Sequence, residues 1–286
     1  MPAPRKPAPT VPERPARRPA APAEDAHLLP IQRRQRIVAF LQRHGAVTLQ
    51  QLEQALRVSL STLRRDLDAL AAEGLVDREH GGAVLRHQEY STFEPDHAAA
   101  AELSPREKRV IGEAAAAALT PRQSVIFDSG STVLEAARAA VRRGIPLTAV
   151  TNDVAIAQAL GASPQVHVTV LGGTLRAGSN TLTGDVVIEA ARAIHADVLL
   201  LGAHAVSNGE LSETAPEVVA VKKAFLRAAR VRRLLIDGSK FRPPAFMRVA
   251  GVGELDEVLT DDGAAADDVD ALRAAGVAVT VVPRNA

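Results

Sequence analysis

Two clusters in this chain bring together residue types that bind anions. In the first, Ser59, Ser61, Thr62, Arg64 and Arg65 fall within two helical turns, with Arg78, His80 and Gly81 a little further on. An arginine can donate two hydrogen bonds to a guanine edge, and a serine or threonine hydroxyl can bond a base or a phosphate. In the second, Asp128-Ser-Gly-Ser-Thr132 follows the apolar run Val125-Ile-Phe127. A loop rich in glycine and hydroxyls between a strand and a helix amino-terminus is a cradle for an anion. Its backbone N–H groups and the hydroxyls of Ser129, Ser131 and Thr132 can surround a phosphate, and Gly130 permits close approach.

The elements that must position the first cluster can be read from Ile31 to Arg86. Ile37, Leu41 and His44 follow helical spacing, and Gly45 ends that helix. Thr48 and Gln51 form a capping box that opens a second helix with a Leu49, Leu52, Leu56 stripe. Ser59 caps a third helix whose Leu60, Leu63, Leu67 and Leu70 make one apolar face, and Gly74 stops it. At about 100° per residue, Ser61 and Arg65 point away from Leu63, with Thr62, Arg64 and Asp68 beside them. Leu75-Val76 and Ala83-Val-Leu85 flank the Gly81-Gly82 turn as a small two-stranded wing. Arg78 and His80 make that turn basic.

From Ser104 onward helices alternate with strands. Ser104-Pro-Arg-Glu107 and Thr132-Val-Leu-Glu135 each have the pattern of a capping box. Strands are expected over 124–127, 147–150, 166–171, 198–201, 233–236, 257–260 and 277–282. That alternation implies an α/β domain with a mostly parallel sheet covered by helices. Ligands in such sheets sit at the carboxyl ends of strands. Thr151-Asn152, Gly172-Gly173, His204 and Lys240 all follow strands, so they join Asp128 to Thr132 as candidates for one pocket, with Lys240 as a cation for a phosphate. Asp128 has the wrong sign to touch a phosphate and is expected to brace the loop or hold ligand hydroxyls.

The expected organisation is a disordered Pro- and Arg-rich tail over 1–30, a winged helix-turn-helix domain over 31–87, a linker over 88–103 and a larger α/β domain over 104–286. Charge follows the same division. Residues 1–88 carry 14 Lys/Arg against 9 Asp/Glu, and the remainder carries 20 against 24. A basic amino-terminal part fits a polyanionic partner. With no cysteine there is no disulfide, no thiol nucleophile and no thiolate metal site. The eight histidines are scattered, so no metal and no cofactor is expected. Aromatics are only 2%, which argues against single strands bound by stacked bases. No apolar run reaches the length of a membrane span and no signal core opens the chain, so the expected location is the cytoplasm.

Val58-Ser-Leu-Ser-Thr-Leu-Arg-Arg-Asp-Leu67, followed by Glu73-Gly-Leu-Val76 and His80-Gly-Gly-Ala83, resembles the DNA-binding signature of the DeoR family of bacterial regulators. Arg33 to Gly45 also matches that family's first helix and turn. The clusters after the strands resemble its effector domain, so the resemblance runs from about Arg33 to Asp262. It implies a fold akin to ribose-5-phosphate isomerases, a phosphate on the loop Asp128 to Thr132, and Asn152 and Lys240 in the same pocket. It further implies a duplex-DNA operator and a phosphorylated sugar as partners, commonly with repression relieved by the effector. The chain departs from the family pattern at Gly202-Ala-His-Ala205, where His204 replaces the usual Asp, and at Gly238, which replaces a Ser. Both changes bear on which sugar is recognised. One winged helix covers few base pairs, so a homo-oligomer is expected on DNA. The alternative is a sugar-phosphate isomerase-like enzyme carrying a winged helix, with His204 as a candidate base.

Overall fold

The computed structural model describes residues 30–44, 46–79, 81–85 and 104–285. Residues 1–29, expected as a tail, and 88–103, expected as a linker, lie outside them, as does His80.

The amino-terminal unit runs α1 (Pro30–His44), β1 (Ala46–Thr48), α2 (Leu49–Leu56), α3 (Leu60–Ala72), β2 (Val76–Glu79) and β3 (Gly82–Leu85). The capping box is present: Gln51 N donates to Thr48 Oγ1 at 3.2 Å, and Thr48 N donates to Gln51 Oε1 at 2.7 Å. Ile37, Leu41, Leu52, Leu56, Leu63, Leu67 and Leu70 close one core with Val76 and Leu85. The wing is a three-stranded antiparallel sheet in the order β1-β3-β2, where two strands were expected. The extra strand β1 spans only three residues ahead of a helix cap, too short to show alternation.

The larger unit contains α4 (Pro105–Ala117), β4 (Ser124–Phe127), α5 (Ser131–Arg143), β5 (Leu147–Thr151), α6 (Val154–Gly161), β6 (Val166–Val170), β7 (Thr174–Leu175), β8 (Leu182–Thr183), α7 (Asp185–Arg192), β9 (Ala196–Leu201), β10 (Ala205–Ser207), β11 (Glu210–Glu213), α8 (Pro216–Ala228), β12 (Ala229–Leu235), β13 (Met247–Gly251), β14 (Glu257–Asp261), α9 (Ala266–Ala274) and β15 (Ala278–Val282). The seven expected strands are the seven of one sheet, in the order β15-β14-β12-β9-β4-β5-β6, and every neighbouring pair is parallel. Both faces of its central strands are buried, as parallel sheets require. Val125, Phe127, Val198 and Leu200 pack with Ile111, Leu134 and Ile156 of α4, α5 and α6. Ile126, Leu199, Leu201 and Leu234 pack with Val187, Phe225 and Leu272 of α7, α8 and α9. Helices α4 and α5 lie unusually close: a Cβ on Gly112 would stand 2.6 Å from the backbone nitrogen of Ala136.

Strands β4, β5 and β6 progress toward one edge, and β9, β12, β14 and β15 toward the other. The order reverses between β4 and β9, and the carboxyl ends of those two strands therefore open onto a crevice between diverging connections.

Two local expectations are corrected. Ser104 has a left-handed backbone (φ 47°) and makes no side-chain cap bond, so Pro105 alone marks the start of α4. The helix after β4 begins at Ser131 with Gly130 as its cap residue, and Glu135 pairs with Arg138 at 2.5 Å instead of capping. Two small antiparallel sheets, β7-β8 and β10-β11-β13, were not anticipated. Among the described residues no helix is long and apolar enough to cross a membrane.

Candidate functional site

The amino-terminal surface follows from the burial of α3. Leu63, Leu67 and Leu70 are buried, while Ser61, Arg64, Arg65 and Asp68 are exposed and Thr62 is half-buried. Asp66 is the one charge on the buried face. It accepts from Arg33 Nη2 at 3.0 Å and also from Arg33 Nε, so a two-pronged ion pair pins α1 to α3. The hydrogen bond to Asp66 holds the Arg33 guanidinium above its usual pKa. Ser59 makes no side-chain cap bond; its hydroxyl lies 3.2 Å from Ser61 Oγ and 3.0 Å from Thr62 Oγ1. A cluster of three hydroxyls thus sits at the amino-terminal end of α3. Arg78 of the wing reaches back to Asp68 of α3 at 3.3 Å, which ties wing and helix into one surface. Gly81 is exposed with φ 86°.

The second site is a cleft at the switch point. Its walls are Ser129, Gly130 and Ser131 after β4; Gly202, Ala203 and His204 after β9; Arg176, Gly178, Ser179 and Thr181 from the β7-β8 hairpin; and Asp153, Glu213, Val218, Lys222 and Lys240. Gly130 has φ 125°, a conformation that L side chains rarely adopt, and it caps α5 with no side chain in the way. No acidic residue lies in the first turn of α5. The positive end of that helix dipole and Lys240 thus face the same cleft.

Beneath the cleft lies a buried charge network that the sequence reading missed. Lys222 of α8 donates to Asp128 Oδ2 at 2.5 Å and to the Gly202 carbonyl at 2.9 Å, and stands 3.3 Å from Glu213 Oε1. Burial opposes the charge on Lys222, but Asp128 and Glu213 outweigh it and hold the ammonium above its usual pKa. Asp128 Oδ2 also accepts from Gly202 N at 3.1 Å, and the Asp128 amide donates to the Leu200 carbonyl at 3.0 Å. The loops after β4 and β9 are therefore fastened to each other and to α8. Asp128 itself is only 1% exposed and braces the cleft floor. Lys222 stands in an Ala- and Val-rich helix with no motif around it, so only its solitary charge on an apolar face could have flagged it.

The structure brings together some of the expected ligand residues and sets others apart. Ser129, Gly130, Ser131, His204 and Lys240 line the cleft. Thr132, Thr151 and Asn152 are buried behind it. The Asn152 side-chain amide donates to the Leu182 carbonyl at 2.9 Å, and the Asn152 backbone carbonyl accepts from Leu182 N at 2.7 Å, so this residue anchors the hairpin. Thr151 Oγ1 accepts from Asp153 N at 3.0 Å. Gly172 and Gly173 lie outside the cleft. Gly173 packs so closely that a Cβ would stand 2.6 Å from the Thr183 carbonyl, which makes it a joint at the base of the hairpin. His204 is held through its backbone: its amide donates to Glu213 Oε1 at 3.1 Å, and its carbonyl accepts from Arg242 at 2.7 Å. Among the described residues no group of three or more His, Cys, Asp or Glu could hold a metal ion.

A winged helix-turn-helix joined to a doubly wound domain with an anion-suited cleft defines the class of ligand-responsive DNA-binding regulators. The model of the DeoR-like helix-turn-helix domain matches residues 33–89, and that of the DeoR C terminal sensor domain matches residues 104–262. The chain belongs to the DeoR family and is a DNA-binding transcriptional regulator. It is 31% identical to the HTH-type transcriptional regulator GlpR of Haloferax volcanii, over 88% of this chain and 98% of that protein. It is 30% identical to the HTH-type transcriptional repressor GlcR of Bacillus subtilis, over 79% and 86%. It is 29% identical to the glycerol-3-phosphate regulon repressor of Escherichia coli, over 80% and 90%. Among solved structures, ribose 5 phosphate isomerase A from Neisseria gonorrhoeae overlaps 47% of this chain and 52% of its own, with 17% identity and a TM-score of 0.35. An overlap that slight carries no functional weight.

Proposed function

We propose that this chain represses a sugar-metabolism operon in the cytoplasm and that a phosphorylated sugar in the switch-point cleft controls its grip on DNA. Helix α3 enters the major groove with Arg64 and Arg65 at base edges and the Ser59, Ser61 and Thr62 hydroxyls at phosphate or base. The wing lies along the backbone through Arg78 and Gly81. Two or more copies act together, since a single winged helix spans too few base pairs for useful specificity.

One observation carries the effector reading: Lys240, the glycine-capped start of α5 and the Ser129 and Ser131 side chains face one cleft. A phosphate fits that combination of dipole, hydroxyls and cation. The sugar then extends toward Asp153, Glu213 and His204. The likeness to the glycerol-3-phosphate regulon repressor of Escherichia coli supports an operon of phosphorylated carbon compounds as the target. Calorimetry with phosphorylated and plain forms of the same sugars, on wild type and Lys240→Ala, tests the reading. Only the phosphorylated form should bind, and Lys240→Ala should weaken it. A plain sugar that binds as tightly as its phosphate overturns it.

A further inference from the structure

The β7-β8 hairpin forms the cleft wall that the sequence reading did not include, and it carries one strong cation. Arg176 lines the cleft from this hairpin, together with Gly178, Ser179 and Thr181. Its Nε stands 3.4 Å from Glu217 Oε1 at the start of α8. The Arg176 side chain is 24% exposed and that of Glu217 is 45% exposed. An ion pair this open to water is screened and contributes little. A guanidinium that forks onto a phosphate in a half-buried cleft makes two short, charge-assisted bonds instead. A phosphate bound in the cleft would therefore compete with the Glu217 carboxylate for this guanidinium. The base of the hairpin is fixed by the two Asn152 bonds to Leu182, so Arg176 is presented from an anchored support.

We propose that Arg176 is a second phosphate-binding cation of this cleft, paired with Glu217 until an effector phosphate displaces that carboxylate. The inference rests on the effector reading given above and adds a second cation to the cleft that Lys240 lines. It makes Glu217 a competitor of the ligand, so the two partners of one ion pair have opposite effects on binding.

The test uses the full chain and calorimetry against inorganic phosphate, glycerol 3-phosphate, glucose 6-phosphate and ribose 5-phosphate. The variants are Arg176→Gln, Arg176→Lys and Glu217→Gln, each checked for an unchanged melting temperature. For the probe that wild type binds best, Arg176→Gln should weaken binding about tenfold or more, and Arg176→Lys should restore only part of it. Glu217→Gln should tighten binding about two- to fivefold, because the competing carboxylate is gone. If Arg176 and Glu217 merely staple the hairpin to α8, both variants shift affinity in the same direction, and the proposal is overturned. Unchanged affinity in Arg176→Gln overturns it equally while leaving the effector reading in place. If no probe binds wild type, the effector reading itself fails and this inference fails with it.

Discussion

Lys222 and Asp128 meet at 2.5 Å beneath the cleft, each side chain almost wholly buried, and join α8 to the loop that follows β4. Glu213 stands 3.3 Å from the same ammonium. Three charges are thereby withdrawn from water beneath the Ser129 to Ser131 loop, which the proposed effector site uses.

The pair is expected to matter more when half of it is removed than when it is intact. Lys222→Met leaves the buried Asp128 and Glu213 carboxylates with no cation between them and frees the loop after β4 from α8. Breaking a buried pair in this way costs about 3–5 kcal/mol. Urea unfolding followed by circular dichroism should show a loss of that order. A loss below about 1 kcal/mol, the scale of an exposed pair, would contradict the bracing role.

Lys108 on α4 gives a dependence on pH. It is buried, and burial lowers its ammonium pKa from 10.5 to about 8, with Lys240 adding to the lowering and Asp237 opposing it. The folded chain thus releases this proton at a lower pH than the unfolded chain. Between about pH 8 and 10.5 the unfolded state binds more protons, so this group's contribution to stability rises with pH across that window. Lys108→Met should stabilise the protein at pH 7 by up to about 3 kcal/mol. It should also flatten the rise between pH 8 and 10. Denaturant midpoints at pH 7 and pH 10 read both effects. Equal pH dependence in the two proteins would contradict the burial argument.

Gly112→Ala should destabilise the larger unit even though alanine favours a helix by about 1 kcal/mol. The added methyl would meet the α5 backbone at 2.6 Å, and backbone cannot move aside as a side chain tip can. Overpacking of this kind costs about 1–3 kcal/mol. A melting temperature at or above that of wild type would show that α4 and α5 separate more easily than their packing implies.

The comparison of sequence with structure divides along physical lines. All seven strands of the main sheet were legible, because strands such as Ser124–Phe127 and Ala196–Leu201 are buried on both faces and read as unbroken apolar runs. The leucine stripe of α3 was equally clear. The hairpin was not, since Thr174–Leu175 and Leu182–Thr183 are two-residue strands with no periodicity to detect. The cleft was legible at Ser129-Gly130-Ser131, where backbone chemistry marked it, and at His204 and Lys240, which follow strands. Position after a strand selected Thr151, Asn152, Gly172 and Gly173 as well, but Thr151 turns inward to hold its own loop at Asp153, Asn152 holds the hairpin at Leu182, and Gly173 packs against the hairpin at Thr183. The contributions of Lys222, Glu213 and Arg176 come from elements whose docking no local pattern announces.

Arg64 and Arg65 should carry specific DNA binding, because both are exposed on the face of α3 opposite Leu63. Arg65→Ala should cost about 1–3 kcal/mol on the best site if it reads a guanine. The double variant should lose discrimination between that site and random duplex. Fluorescence anisotropy on a site selected from a randomised duplex library provides the measurement. Unaltered discrimination in a folded double variant would remove α3 from the reading role.

A phosphate in the switch-point cleft is expected to change the grip of the amino-terminal unit on DNA. The most direct measurement is a titration of the complex of full-length protein and selected duplex with a sugar phosphate, with the plain sugar and Lys240→Ala as controls. The account predicts that the phosphorylated form shifts DNA affinity about 5- to 150-fold, that the plain sugar does not, and that Lys240→Ala blunts the response while still binding DNA. Equal responses to sugar and sugar phosphate, or a full response from Lys240→Ala, would contradict it.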